Sequence, residues 1–131
     1  MDQLVGEHVA RAMYEAIDGK HVAAVAAYLD DASLLHVSGD SGLAGDYQGR
    51  DAILGLLGRM AELTGGTLRC GVSSSMVRSG GTVILQGPVL AAREGRTLET
   101  VVKVAVTVAG GHLREIWLNH LGQSAFDDFW S

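Results

Sequence analysis

The hydrophobic period of this chain switches once, at Gly65-Gly66, from helical spacing to strand alternation, and that switch restricts the fold more than any other feature. Before it, Val5, Val9, Ala12, Met13, Ala16 and Ile17 form an apolar stripe from Leu4 onward. Glu7, Arg11, Glu15 and Asp18 lie opposite, spaced for Glu–Arg pairing, and Asp18-Gly19 is the stop. A second helix is expected from Lys20 to Leu29, with Val22, Val25, Ala26 and Leu29 inward. A strand from Ala32 to Ser38 and a loop from Gly39 to Gly49 follow. The third helix runs from Arg50 to Thr64 on Ile53, Leu56, Leu57, Met60 and Leu63, with Gly55 and Gly58 read as sites of close packing on a sheet. After Gly66, four segments alternate: Thr67–Val77, Thr82–Arg93, Thr97–Ala109 and His112–His120. Their connectors, Ser79-Gly80-Gly81, Glu94-Gly95-Arg96 and Gly110-Gly111, are hairpin signals. A last segment, Ser124 to Trp130, carries a Ser124–Asp127 capping pair and three aromatics, Phe126, Phe129 and Trp130, suited to holding it on the body.

Helices gathered early and strands late specify an α+β fold. The expected architecture is a curved antiparallel β-sheet wrapped around three N-terminal helices, cone-shaped with an internal pocket. A length of 131 residues makes residues 1–131 a single domain, and 47% apolar residues support a folded core. The net charge of −5, with no basic stripe, argues against nucleic acid and anionic membrane as partners. No apolar stretch approaches a membrane span, and Met1-Asp2-Gln3-Leu4 lacks a basic leader, so a cytoplasmic location is expected. Cys70 is the only cysteine and reads as a small core residue beside Leu68 and Val72. The five histidines show no ligand spacing, so neither a metal nor another cofactor is expected.

Four segments carry a resemblance: Tyr14-Glu15-Ala16-Ile17-Asp18-Gly19, Tyr28-Leu29-Asp30-Asp31-Ala32-Ser33, Tyr47-Gln48-Gly49-Arg50-Asp51-Ala52-Ile53 and Gly111-His112-Leu113-Arg114-Glu115-Ile116-Trp117. Together they resemble the SnoaL-like branch of the nuclear-transport-factor-2-like superfamily, which includes ketosteroid isomerases, polyketide cyclases and limonene epoxide hydrolases. The resemblance spans nearly the whole chain and is specific for fold, weak for reaction. It lays the isomerase general base on His36. It lays the two oxyanion donors on Ala12 or Met13 and on Val104, neither of which can donate, so steroid isomerisation by that mechanism is not expected. The Asp/Arg/Asp set of the epoxide hydrolases is not found either.

The resemblance also turns the face shared by Leu34 and His36 toward the pocket and places His120 at the pocket end of the last strand, beside Ile116 and Leu118. Two histidines facing one cavity form an acid–base pair, so His36 and His120 are the catalytic candidates. Tyr28, Tyr47, Leu34, Met60, Val102, Val104 and Leu118 are the substrate-binding candidates, with Tyr47 as a lid or ligand contact. Tyr14 is assigned to structural packing. Glu99, Lys103 and Trp117 have the opposite parity and belong to the outer sheet face, with Val101, Ala105 and Thr107.

Three functions remain open. One is a cofactor-independent enzyme moving protons on an apolar carbonyl or polyketide-type substrate. A second is a binding module for a small hydrophobic molecule. The third is a structural domain that forms a homodimer through the outer sheet face.

Overall fold

A computed structural model describes residues 2–18, 22–78 and 82–130. Helix α1 (Asp2–Glu15) runs into a 3-10 turn (Ala16–Asp18) and buries Val9, Met13, Ala16 and Ile17, the apolar stripe of the sequence. Glu7 and Arg11 pair at 3.8 Å on its outer side. The stop at Gly19, the helix start at Lys20 and the Ser79-Gly80-Gly81 connector lie outside the described residues, as do the side chains of Leu4, Val5 and Asp18. Helix α2 (Val22–Ala26) is shorter than expected, and the chain leaves it through a turn in which the Tyr28 N–H donates to the Val25 carbonyl at 2.9 Å.

Strand β1 (Leu34–Val37) pairs with β2 (Gly45–Gln48), a strand that stands within the stretch expected to be loop. Helix α3 (Arg50–Leu63) buries Ile53, Leu56, Leu57 and Met60. It ends where Gly65 and Gly66 take φ of 58° and 79°, conformations that favour glycine. Gly55 and Gly58 are exposed, and a Cβ at either would meet nothing within 4 Å, so their close-packing role is corrected.

The single strand expected over 67–77 is two: β3 (Arg69–Cys70) and β4 (Ser74–Arg78). The break has a packing cause. A Cβ on Gly87 would lie 1.7 Å from the Gly71 carbonyl oxygen, so the backbone between β3 and β4 presses directly onto the next strand. Strands β5 (Thr82–Arg93), β6 (Arg96–Ala109) and β7 (His112–His120) form the body of the sheet. Two-residue turns join them: Glu94-Gly95 with φ of 49° and 78°, then Gly110-Gly111 with φ of 60° and 77°. Positive φ at both central residues gives the turn whose twist matches the flanking strands. Helix α4 (Gln123–Trp130) closes the chain. It starts at Gln123, so Ser124 sits inside it and not at its cap.

The strand order is β2-β1-β7-β6-β5-β3, with β4 also on β5. The sheet has seven strands, curved and unclosed. It is mixed where an antiparallel sheet was expected, because β1 runs parallel to β7. An irregularity at Thr107/Val108 leaves Arg114 as an extra residue on β7, a bulge of the kind that bends a sheet. Alternation then sorts the faces. Val83, Leu85, Val89, Val102, Val104, Val106, Ile116 and Leu118 are buried on the concave side, which α1 covers. At the seam, the Ser33 hydroxyl donates to the Leu113 carbonyl at 2.6 Å, and both Nε and Nη2 of Arg50 donate to the Leu29 carbonyl at 3.0 and 2.6 Å.

Candidate ligand site inside the cone

The concave face carries one row, Gly87–Val102–His120, fixed by strand register. Helix α1 lowers Tyr14 onto its near end, where the hydroxyl would lie 2.9 Å from a Cβ at Gly87. Only glycine leaves space there for both the tyrosine and the Gly71 backbone. His120 stands at the far end, two strand spacings or about 10 Å away. Helix α4 covers it: the Phe126 ring stacks on the imidazole at 3.2 Å between centroids, and Trp130 packs on Phe126 at 5.9 Å and on Phe129 at 4.9 Å. The hairpin after β5 holds α4 in place, with Arg93 Nη1 donating to the Phe129 carbonyl at 2.8 Å and Arg96 Nη1 to that of Asp128 at 2.9 Å.

Four polar atoms in this region are buried without a well-formed hydrogen bond among the described residues: the Tyr14 hydroxyl, the two ring nitrogens of His120, which the Ser38 backbone approaches, and Trp130 Nε1. Such atoms are uncommon, because each costs about 1–3 kcal/mol when left unpaired. The other buried polar side chains are used within the protein. Thr64 donates to the Met60 carbonyl at 2.8 Å, Ser33 is bonded to Leu113, and Ser41 Oγ accepts the Leu43 N–H at 3.2 Å. No Asp, Glu, Lys or Arg is buried among the described residues. The interior is therefore neutral, and it holds its titratable groups neutral. Burial pushes the Tyr14 phenol well above its ordinary range, with Cys70 adding to the effect. Burial pulls His120 down to about 4, against weaker opposing pulls from Asp127 and the Ser38 backbone.

His36 is elsewhere. Burial along β1 alternates so that Leu35 and Val37 face the core, and Leu34 and His36 face out on the convex side. The expected convergence of His36 and His120 on one cavity is corrected, as is the inward orientation of Leu34. Both nitrogens of His36 are engaged: Nδ1 with Asp46 Oδ1 at 2.7 Å and Nε2 with Glu115 Oε2 at 2.6 Å. Its ring stacks on Trp117 at 5.8 Å. Those two hydrogen bonds, chiefly the one to Asp46, raise its pKa. A histidine with carboxylates on both nitrogens offers no lone pair to a substrate.

Met60, Val102, Val104 and Leu118 are buried in the interior. Tyr47 pairs with Leu35 and spends its hydroxyl on the Leu43 carbonyl at 2.7 Å, which gives it a protein partner in place of a ligand. Tyr28 is half-buried, edge-on to His8 at 6.3 Å, and its carbonyl accepts the Leu113 N–H at 2.8 Å. Cys70 is half-buried and its thiol reaches the Tyr14 carbonyl at 3.3 Å. Val101, Lys103, Ala105, Thr107 and Trp117 lie on the convex face, as parity requires. Among the described residues, no group of three or more His, Cys, Asp or Glu is placed to hold a metal ion. No described helix is long and apolar enough to cross a membrane. Sequence reasoning missed Tyr14 and Trp130 as buried groups with unpaired polar atoms, since an unpaired buried hydroxyl or indole N–H leaves no trace in residue spacing.

No family model matches the chain. An uncharacterized protein of Mycobacterium tuberculosis is 30% identical over 95 residues, 72% of each chain, and one of Mycobacterium bovis matches equally. Among solved structures, Bal32a from a soil-derived mobile gene cassette superimposes over 100% of both chains with a TM-score of 0.92 at 24% identity. TerC, co-crystallized with polyporic acid, covers 95% of this chain and 97% of its own with a TM-score of 0.79 at 16% identity. A nuclear-transport-factor-2-like protein of Burkholderia xenovorans covers 98% and 97% with a TM-score of 0.75 at 17% identity. The chain belongs with the mycobacterial proteins, and its fold is the nuclear-transport-factor-2-like one. The expected fold is thereby shown. In this chain the concave side of the sheet holds the unpaired polar atoms, and the convex side holds His36.

Proposed function

We propose that the protein binds a small, uncharged, mostly apolar molecule bearing a carbonyl-type oxygen inside the cone, against Tyr14, His120 and Trp130. The observation that carries this is the set of buried polar atoms without a well-formed partner, above all the Tyr14 hydroxyl and Trp130 Nε1. The Trp130 N–H can only donate and the un-ionised Tyr14 hydroxyl donates readily, so together they favour acceptor oxygen, and neutral His120 can donate or accept. Met60, Val102, Val104 and Leu118 supply the apolar wall. An ionised ligand is disfavoured, because nothing buried would neutralise it. Phe126 stands where a ligand ring would stack on His120, so entry goes by way of α4. That TerC was co-crystallized with polyporic acid supports a small-molecule role for the fold.

Binding is better supported than turnover. A base with a pKa of about 4 stays unprotonated at neutral pH yet takes protons poorly, well short of the match to working pH that efficient proton transfer needs. Catalysis by His120 with Tyr14 as the acid requires a ligand that raises the imidazole pKa.

Two naphthalenes of one skeleton test the reading. The neutral ketone 2-acetylnaphthalene should raise the melting temperature by the amount mass action gives and be recovered unchanged, whereas 2-naphthoate should leave it where it was. Equal stabilisation by both, or by neither, contradicts the proposal.

The convex face supports a second, compatible reading, self-association. Register aligns Met76, Ile84, Ala105 and Trp117 as one apolar row across four strands, and Met76 is 55% exposed. Lys103 stands beside that row with Glu115 across the face, complementary charges for a second copy. On this reading sedimentation should report a dimer, and Lys103→Glu should weaken it. A monomer for the unaltered chain removes this reading and leaves the interior site untouched.

A further inference from the structure

We propose that the His36 clamp is a pH-sensitive strap that fixes the edge strand β2 and the loop before it, residues 39–48, over the end of the cone where His120 and Trp130 lie. The clamp spans three strands. His36 stands on β1, Asp46 reaches it from the edge strand β2, and Glu115 from β7. Both imidazole nitrogens can be bonded to carboxylates only if both carry protons, so the ring in this arrangement is an imidazolium with one carboxylate on each side. Loss of one proton leaves a bare lone pair facing a carboxylate and turns attraction into repulsion at that contact. Asp46 and Glu115 are the titratable groups that face the ring. Arg114, next to Glu115, is directed to Asp30 at 3.4 Å, and Trp117 supplies the stacking face.

The flap held by this clamp borders the ligand region. After β1, Ser38 donates from both its N–H and its hydroxyl to the Leu118 carbonyl, each at 3.2 Å, and its backbone is one of the polar groups that act on His120. Leu43 and Ser41 are buried beneath the loop. A Cβ at Gly42 would come within 4.0 Å of the Trp130 carbonyl. Strand β2 is an edge strand whose one sheet neighbour is β1, so its ladder bonds run to β1 alone, with α3 also packed against it. The strap is therefore closed while His36 is protonated and both carboxylates are ionised, and it opens as His36 loses its proton. The motion rests on the proposed ligand site only for its purpose, since opening exposes the region beside His120.

Solution NMR of the unliganded protein reads the strap without any ligand. The His36 ring protons should titrate with a midpoint above 6.5, the ordinary histidine value. Past that midpoint, hydrogen exchange at the Ala44 amide and the Trp130 indole speeds up at least tenfold beyond its intrinsic pH dependence. Asp46→Asn, at a side chain that is 71% exposed and so safe for folding, lowers the midpoint and moves the exchange transition with it. A midpoint at or below 6.5, or exchange that ignores the His36 titration, overturns the strap. Because no ligand enters the readout, a failure of 2-acetylnaphthalene to bind leaves the strap standing, and a flat exchange profile leaves the ligand site standing.

Discussion

Tyr14 illustrates how a single residue can be set against stability. Its hydroxyl is buried without a partner, so Tyr14→Phe removes the desolvation cost of that group and keeps the ring packing. The variant should be more stable than the parent by about 1–2 kcal/mol in urea denaturation, while its affinity for 2-acetylnaphthalene falls several-fold. Loss of stability in Tyr14→Phe would mean that the hydroxyl is already satisfied. The sequence could not announce this residue. It stands next to, and not at, the isomerase donor position, and what makes it exceptional is the bare Gly87–Gly71 backbone it meets from far along the chain. His36 was misplaced for a related reason. A four-residue strand reading Leu34-Leu35-His36-Val37 has apolar residues on both parities, so alternation does not decide which face is buried, and only the neighbours across β2 and β7 do.

Elements made of long, self-consistent patterns were legible. The stripe of α3 and the alternation of β5, β6 and β7 lie where the periods put them, and the two glycine hairpins set their register. Strand β2 was not, because Gly45-Asp46-Tyr47-Gln48 has no apolar alternation and is held as a strand only by pairing with β1. The parallel β1–β7 contact joins segments some eighty positions apart, which local spacing cannot report. Glycines separate the cases sharply. Gly87→Ala drives a Cβ into backbone at 1.7 Å, and backbone cannot rotate away, so the variant should lose more than about 3 kcal/mol or fail to fold. Gly55→Ala, exposed in a helix with nothing within 4 Å, should gain about 0.5–1 kcal/mol. Denaturation midpoints check both, and a tolerated Gly87→Ala would contradict the β3–β5 packing.

The whole molecule sets two histidines working in opposite directions on its two faces. His120 has a folded pKa lowered to about 4, so its unfolded form takes up protons first, and stability falls as pH drops from about 6.5 toward 4. His36 has a raised folded pKa, so its contribution is complete below about 6.5 and is lost as pH rises through the raised value. These two groups together place a stability maximum near pH 6.5. His120→Leu should flatten the acid limb and His36→Gln the alkaline limb, read from urea midpoints across the pH range. The same division between a neutral concave interior and a charged convex face underlies the account of function. Its most direct test is a two-dimensional NMR titration of the intact protein with 2-acetylnaphthalene. The His120 ring and the Trp130 indole N–H should shift together and saturate, while the His36 ring and the Trp117 indole stay in place. Shifts confined to His36 and Trp117, or none at saturating ketone, would contradict a ligand site inside the cone.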